Sequence, residues 1–299
     1  MKNVWTTFFI ILVIALMVGC SSDNDGEIEV GEAKEPEVSN DDEALSLDEN
    51  NASTPDQKNE AADLEEVEKV EEVEAVEEVK ETQPRYALQS DNSVKPIDET
   101  DSDRVVLLTI DDAPENYGVE MAELLKENDI NAIFFVNGHF ISNEEGREKL
   151  QKIYDLGFEI GNHTMSHPNL SKISEEKQRQ EIIDLNDLIE EITGERPRFF
   201  RAPFGVNTDV SDQIVLDENM QAMNWTYGYD YFAPYMNAEA LITAMVTGEG
   251  PEVGVSYSLL KPGANLLMHD RKWTLEALPE IISGLKEKDY QFVDPKTIQ

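Results

Sequence analysis

The chain has 299 residues and a formal net charge of −39, from 63 Asp and Glu against 24 Lys and Arg. That acid excess excludes a nucleic-acid binder, whose partner's phosphates demand the opposite sign, and leaves neutral polymers open. The excess is uneven, with 27 acidic against 6 basic side chains in residues 21–100, which leaves residues 101–299 as one domain with a single large core.

In chain order, Lys2 supplies a positive start, and Val4 to Val18 is almost wholly apolar before Gly19-Cys20 meets a polar Ser-Ser-Asp run. The apolar stretch is short for a membrane span and reads as a signal peptide over residues 1–19. Its end, Leu16-Met17-Val18-Gly19-Cys20, resembles the bacterial lipobox, although that pattern favours Leu where Met17 stands. The resemblance implies lipidation of Cys20 and anchoring at the extracellular face of the cell membrane; an uncleaved anchor helix is the alternative. Cys20 is the only cysteine, so no intramolecular disulfide can form.

Residues 20–100 are expected to be a disordered acidic tether. Few aromatics among many Glu, Asp, Asn, Ser and Pro leave too little apolar surface to offset the entropy of ordering. Val67, Val70, Val73, Val76 and Val79 recur every three residues, a period that drifts around any helix. Like-charge repulsion keeps such a segment extended, as a spacer.

From Val105 onward short apolar runs alternate with longer amphipathic ones. Strands are predicted at Val105–Ile110, Ala132–Val136, Phe158–Ile160, Phe199–Phe200, Gln221–Trp225, Asn265–Met268 and Gln291–Val293. Helices are predicted at Val119–Asn128, Glu145–Leu156, Ser174–Thr193 and Thr274–Lys288. Ser174 is the expected N-cap of the third helix and Gly194 its stop, with Ile182, Leu185, Ile189 and Ile192 facing inward. Such alternation indicates an α/β fold on a parallel sheet, open or closed into a barrel.

Polar residues follow the strand ends. Asp111-Asp112 follows the first strand, His163 and His167 the third, Arg201 the fourth, Asp230 the fifth and His269 the sixth. Parallel strands deliver their C-terminal ends to one face, where such sheets carry their sites. In His163-Thr164-Met165-Ser166-His167 a helical turn would point both imidazoles to one side, and Asp112 adds a carboxylate. Two nitrogens and one oxygen suit zinc, with cobalt or nickel as substitutes; calcium or magnesium would want more oxygens. With Asp112 spent on the metal, Asp111 is the expected general base, Arg201 its partner, and His269 the general acid.

Thr109-Ile110-Asp111-Asp112-Ala113-Pro114, His163-Thr164-Met165-Ser166-His167, Arg201-Ala202-Pro203-Phe204-Gly205, Asp230-Tyr231 and Leu267-Met268-His269-Asp270 appear in that order. Together they resemble the five motifs of the polysaccharide deacetylases, the NodB-like group also called carbohydrate esterase family 4, over roughly residues 104–294. The resemblance implies a distorted (β/α) barrel of about seven strands and a divalent metal on Asp112, His163 and His167. It implies that Asp230 holds Arg201, that the Phe204 N–H beside Pro203 stabilises an oxyanion, and that Leu267 and Tyr231 line an acetyl pocket. The activity it implies is removal of N-acetyl groups from N-acetylglucosamine in a cell-envelope polysaccharide, peptidoglycan or exopolysaccharide. The alternatives are O-deacetylation, or an inactive glycan-binding surface lipoprotein. No protein partner is implied.

The family has Phe at position 110, Gly at 113 and Trp at 231, where this chain has Ile110, Ala113 and Tyr231. If the turn at 113 needs a positive φ, Ala113 would be strained. Other residues have a plainer reading. His139 is expected to serve local structure, and the aromatic cluster Trp225, Tyr227, Tyr229, Tyr231, Phe232 and Tyr235 to pack a loop. Residues 247–263 read as a surface loop near the site. Asp270 either orients His269 or caps the following helix.

Overall fold

The computed structural model describes residues 83–299. The expected signal peptide, the lipidation site Cys20 and the tether as far as residue 82 lie outside the described residues. The elements run β1 (Tyr86–Leu88), β2 (Val94–Pro96), β3 (Val105–Ala113), α1 (Gly118–Glu127), β4 (Ile133–Val136), α2 (Glu144–Asp155), β5 (Glu159–Asn162) and α3 (Glu175–Thr193). They continue as β6 (Phe199–Phe200), α4 (Asp209–Asp217), β7 (Gln221–Ala222), α5 (Ala238–Thr247), β8 (Ala264–His269), α6 (Lys272–Glu287) and β9 (Gln291–Phe292).

Seven parallel strands form one sheet in the order β7-β6-β5-β4-β3-β8, with β9 also on β3. The sheet curls back on itself. Beyond β7, the Thr226 N–H donates to the Asn265 carbonyl and the Leu267 N–H to the Tyr227 carbonyl, each at 2.9 Å, which joins that end to β8. The result is the distorted (β/α) barrel of seven strands that the sequence led us to expect.

Strand alternation sorts the side chains of β3 and β4 into two layers. Val106, Leu108, Ile110, Phe134 and Val136 belong to the core that includes Met121, Leu125, Leu150 and Leu278 of the surrounding helices. Val105, Leu107, Ile133 and Phe135 belong to a second core with Phe199, Met223, Tyr86, Val94, Val293 and Ile298. This inner layer fills the barrel and leaves the next inward positions of β3, Thr109 and Asp111, at its upper end. Gly161 makes room for it: a Cβ there would stand 2.5 Å from the Phe135 ring.

The hairpin of β1 and β2 corrects the expected tether boundary at residue 100. Tyr86 and Val94 are buried in the inner core. The Arg85 N–H donates to the Thr297 carbonyl and the Val94 N–H to the Gly263 carbonyl, each at 2.8 Å. Gly263 has φ +82°, and a Cβ on it would lie 2.1 Å from the Val94 carbonyl oxygen, so only glycine lets the hairpin dock. Helices α4 and α5, absent from the sequence expectation, start at Thr208 and Asn237, whose side chains accept from the N–H of Ser211 and Ala240. The expected caps of α3 are in place: the Ser174 side chain accepts from the Lys177 N–H, and Gly194 is left-handed at φ +82°.

Candidate active site

Asp111 and His269 are register partners across β3 and β8, so the expected base and acid stand side by side at the strand ends. Asp112 follows with φ +62°, a left-handed conformation that Asp tolerates better than most residues. The positive φ thus falls on Asp112 and not on Ala113, which is a buried strand residue paired with Val136; no strain attaches to it. Ile110 keeps its apolar place in the outer core.

Residues 163–167 make a bend, not the expected helical turn. Thr164 and His167 have φ +70° and +55°, and these two left-handed residues turn the imidazoles together, with ring centroids 4.9 Å apart. The bend is held from α3: the buried Glu181 carboxylate accepts from the Ser166 N–H and hydroxyl, each at 2.8 Å, and its carbonyl accepts from the Met165 N–H at 2.9 Å. Asn137 fixes the other side, donating to the His163 carbonyl at 2.6 Å.

The donor set fits a divalent cation. One ligand atom from each of Asp112, His163 and His167 lies within 4.8 Å of the others. His163 Nδ1 lies 2.7 Å from the Arg201 carbonyl oxygen, which can only accept, so Nδ1 donates there and Nε2 is the nitrogen left to serve as a ligand. Burial, then the neighbouring His163, pulls His167 below the ordinary histidine value against the opposing pull of Asp112 and Asp111. A neutral imidazole is the form that binds metal.

Arg201 is fully buried and donates to Asp111 Oδ1 at 2.6 Å, to the Thr109 hydroxyl at 2.8 Å, and to the Met223 and Asn224 carbonyls at 3.1 and 2.9 Å. Its guanidinium carbon lies 4.2 Å from the centre of the Phe135 ring below. Burial lowers its affinity for a proton, partly offset by Asp111, yet a guanidinium stays charged in proteins. The pair is therefore mutually dependent. Arg201→Met is expected to lower unfolding free energy by about 3–5 kcal/mol, because Asp111 is left buried without a counter-charge; urea denaturation of the two proteins checks this.

Asp230 does not hold Arg201, contrary to expectation. It is fully buried and accepts from His269 instead, through Nδ1 at 2.8 Å and the backbone N–H at 2.6 Å, with the Thr274 hydroxyl at 2.8 Å as a further donor. Burial alone would push His269 down, but Asp230, then Asp111 and Asp112, raise it to about 9. An imidazolium that donates from Nδ1 to Asp230 presents Nε2–H to the cavity, as a general acid requires. Asp270 neither orients His269 nor caps α6. Its carboxylate accepts from the Asn116, Tyr117 and Gly118 N–H groups at the start of α1.

Asp111, Asp112, His163, His167, Asp230 and His269 share one cavity of about 540 Å³, lined also by Phe204, Trp225, Tyr231, Leu267, Arg271 and Trp273. Phe204 has φ +61° and sets its ring edge-on to His167 at 4.9 Å. Tyr231, in the place of the family's Trp, stands edge-on to His269 at 5.4 Å. Pro203 is buried and does not line the cavity, so it supports Phe204 and is no wall residue. Tyr227 and Tyr229 are buried and donate to the Met245 and Gly248 carbonyls, as loop-packing residues would. His139 lies tilted against Phe140 outside the cavity, and no residue of 247–263 lines it.

Three side chains were missed. Trp273 donates to the Asp230 carbonyl at 2.9 Å, Arg271 reaches Asp112, and Glu181 braces the bend. Glu181 left a trace in the sequence, since Gln178, Glu181 and Asn186 interrupt the inward face of α3 with polar groups. Arg271 and Trp273 left none.

The pattern of a known family, polysaccharide deacetylase, matches residues 98–223. The chain is 30% identical over 190 residues to a peptidoglycan-N-acetylglucosamine deacetylase of Bacillus cereus, covering 63% of this chain and 66% of that protein. It is 28% identical over 193 residues to the peptidoglycan-N-acetylmuramic acid deacetylase PdaC of Bacillus subtilis, covering 64% of this chain and 38% of that one. A solved structure of a mutant of BA3943, a CE4 family pseudoenzyme from Bacillus anthracis, with restored enzymatic activity, aligns at 30% identity. It covers 66% of this chain and 69% of its own, with a TM-score of 0.57. With the five motifs converging on one cavity, the family model running through the first three of them and these relatives matching about two thirds of the chain, the chain belongs to the polysaccharide deacetylase family.

Proposed function

We propose that the protein is a metal-dependent hydrolase that removes N-acetyl groups from N-acetylglucosamine units of peptidoglycan or a related envelope polysaccharide. The observation that carries this reading is the pairing of Asp111, held by Arg201, with His269, held by Asp230, on adjacent strands beside the three-ligand set. Two titratable groups with opposite partners are a base and an acid. Asp112, His163 and His167 would hold zinc, or cobalt or nickel in its place, which when bound supplies a Lewis acid and an acidified water.

The chain's own residues do the rest. Asp111 takes the proton of the attacking water, with Arg201 holding the carboxylate in place. The Phe204 N–H steadies the charge that develops on the acetyl oxygen. Leu267 and Tyr231 enclose the methyl group, and His269 gives its Nε2 proton to the departing amine. Acetate and a free amino sugar result. Residues 1–82 extend the reading: lipidated Cys20 would hold the domain at the outer face of the membrane, with the acidic spacer letting it reach the wall polymer. The names of the Bacillus relatives support peptidoglycan over other polymers.

Acetate release tests this. Peptidoglycan and an O-acetylated xylan are offered separately, with zinc or cobalt and then with chelator. Chelator-sensitive release from peptidoglycan is expected. Release from xylan alone would favour O-deacetylation, and release from neither would leave a binder related to the pseudoenzyme.

A further inference from the structure

Arg271 stands one residue beyond the last motif, at the residue that precedes α6, and lines the cavity. Its guanidinium spans two carboxylates. One terminal nitrogen donates to Asp112 Oδ2 at 2.7 Å; the other donates to Glu115 Oε2 at 2.6 Å and the Asp270 carbonyl at 3.0 Å. The other oxygen of Asp112, Oδ1, faces His167 Nε2 at 3.8 Å. The two oxygens therefore have different neighbours, a cation on one side and the imidazole set on the other.

The surroundings make this arrangement firm. The Arg271 N–H donates to the His269 carbonyl at 2.8 Å, and the Glu115 N–H lies 3.3 Å from the Asp112 carbonyl. Asp270, between His269 and Arg271, binds the start of α1, so the turns after β3 and β8 are joined on both sides of the pair. Arg271 is only one-third exposed and Asp112 less than half of that. One guanidinium nitrogen on Oδ2, with the other seated on Glu115, keeps that oxygen from turning to the imidazoles.

We propose that Arg271, seated on Glu115, is a positioning residue for the metal site: it occupies Oδ2 of Asp112 and fixes the carboxylate as a one-oxygen ligand. The inference rests on the reading of Asp112, His163 and His167 as cation ligands. A carboxylate limited to one oxygen leaves more of the cation's coordination positions to exchangeable ligands, which an acetyl-hydrolysing site needs. Partners that orient a ligand in this way are typically worth about 10–100-fold in metal affinity. A solvent-screened ion pair would be worth far less.

The test uses the full chain. Zinc affinity is measured by competition with a chromophoric chelator, and the visible spectrum is recorded on the cobalt-loaded protein. Arg271→Met is expected to weaken zinc binding about 10–100-fold and to change the cobalt bands as Oδ2 becomes free to coordinate. Glu115→Gln is expected to shift both readouts less, in the same direction, and Arg271→Lys to restore part of the affinity. Arg147→Met, which breaks an exposed pair with Glu191 on α2 and α3, should match the wild type. Wild-type affinity and an unchanged cobalt spectrum in folded Arg271→Met overturn the proposal. Should that variant not fold, wild-type values in Glu115→Gln overturn it equally. A wild-type protein that binds neither metal fails the underlying ligand reading instead.

Discussion

Asp111→Asn is expected to lower the turnover of acetate release about 10²–10⁴-fold, the usual worth of a positioned general base. The substitution keeps the shape of the side chain and an oxygen that can accept from Arg201 at Oδ1. It does not remove a member of the Asp112, His163 and His167 set, so metal content should stay as in the wild type. Stability should fall at the same time, because Arg201 is fully buried and Asp111 is its only carboxylate partner among the described residues. Steady-state kinetics, metal analysis and a denaturant titration on one preparation separate these effects. Turnover within about tenfold of wild type would remove Asp111 from the role of base.

The second large effect concerns pH. Asp230 contributes most to holding His269 near 9, so the acid is protonated across the neutral range. Activity should persist through neutrality and fall as pH rises through the His269 value. A bound cation, being positive, would place that fall below 9. Asp230→Asn removes the largest of the charges that oppose burial and leaves only Asp111 and Asp112 against it, so the alkaline limb should move down by about one to three pH units. The cation's own effect is common to both proteins and cancels in the difference. Stability follows the same sign. A pair that raises the folded-state value stabilises fully below the unfolded imidazole value of about 6.5 and loses its effect as pH rises toward 9. Overlapping alkaline limbs for the wild type and Asp230→Asn would show that Asp230 does not set the acid.

Much of this architecture was legible in the sequence because the parallel barrel repeats one signal. Each apolar run feeds a polar residue at the same face, so Asp111, His163, Arg201 and His269 could be placed on strand ends without knowing which strands are neighbours. Which side chains then touch depends on the order of strands around the barrel, and composition does not carry that. The family resemblance implies Asp230 on Arg201, whereas the chain between β7 and β8 brings it to His269 and Thr274. The hairpin of β1 and β2 was lost for a different reason. Tyr86 and Val94 are few among acidic neighbours, and their burial depends on Val293 and Ile298, which follow more than 190 residues later. The bend at 163–167 was misread because imidazoles four apart also suit a helix, and only the left-handed Thr164 and His167 reveal the turn.

The short helices α4 and α5 show the limit of periodicity. α4 has only nine residues, and α5, Ala-Glu-Ala-Leu-Ile-Thr-Ala-Met-Val-Thr, is apolar almost throughout, so neither shows a distinct stripe. Their caps, Thr208 and Asn237, were the better signal. Arg271 lies beyond reach of either kind of reading. Nothing in its spacing announces that a residue after the last motif will meet a carboxylate 159 positions earlier.

Zinc bound per chain is the most direct measure of the account, read by mass spectrometry after equilibrium dialysis of the wild type and of a double variant, His163→Ala with His167→Ala. One zinc per wild-type chain, lost from the folded double variant together with acetate release, is the result we predict. Equal zinc in both proteins, or acetate release that survives the loss of both imidazoles, would contradict it.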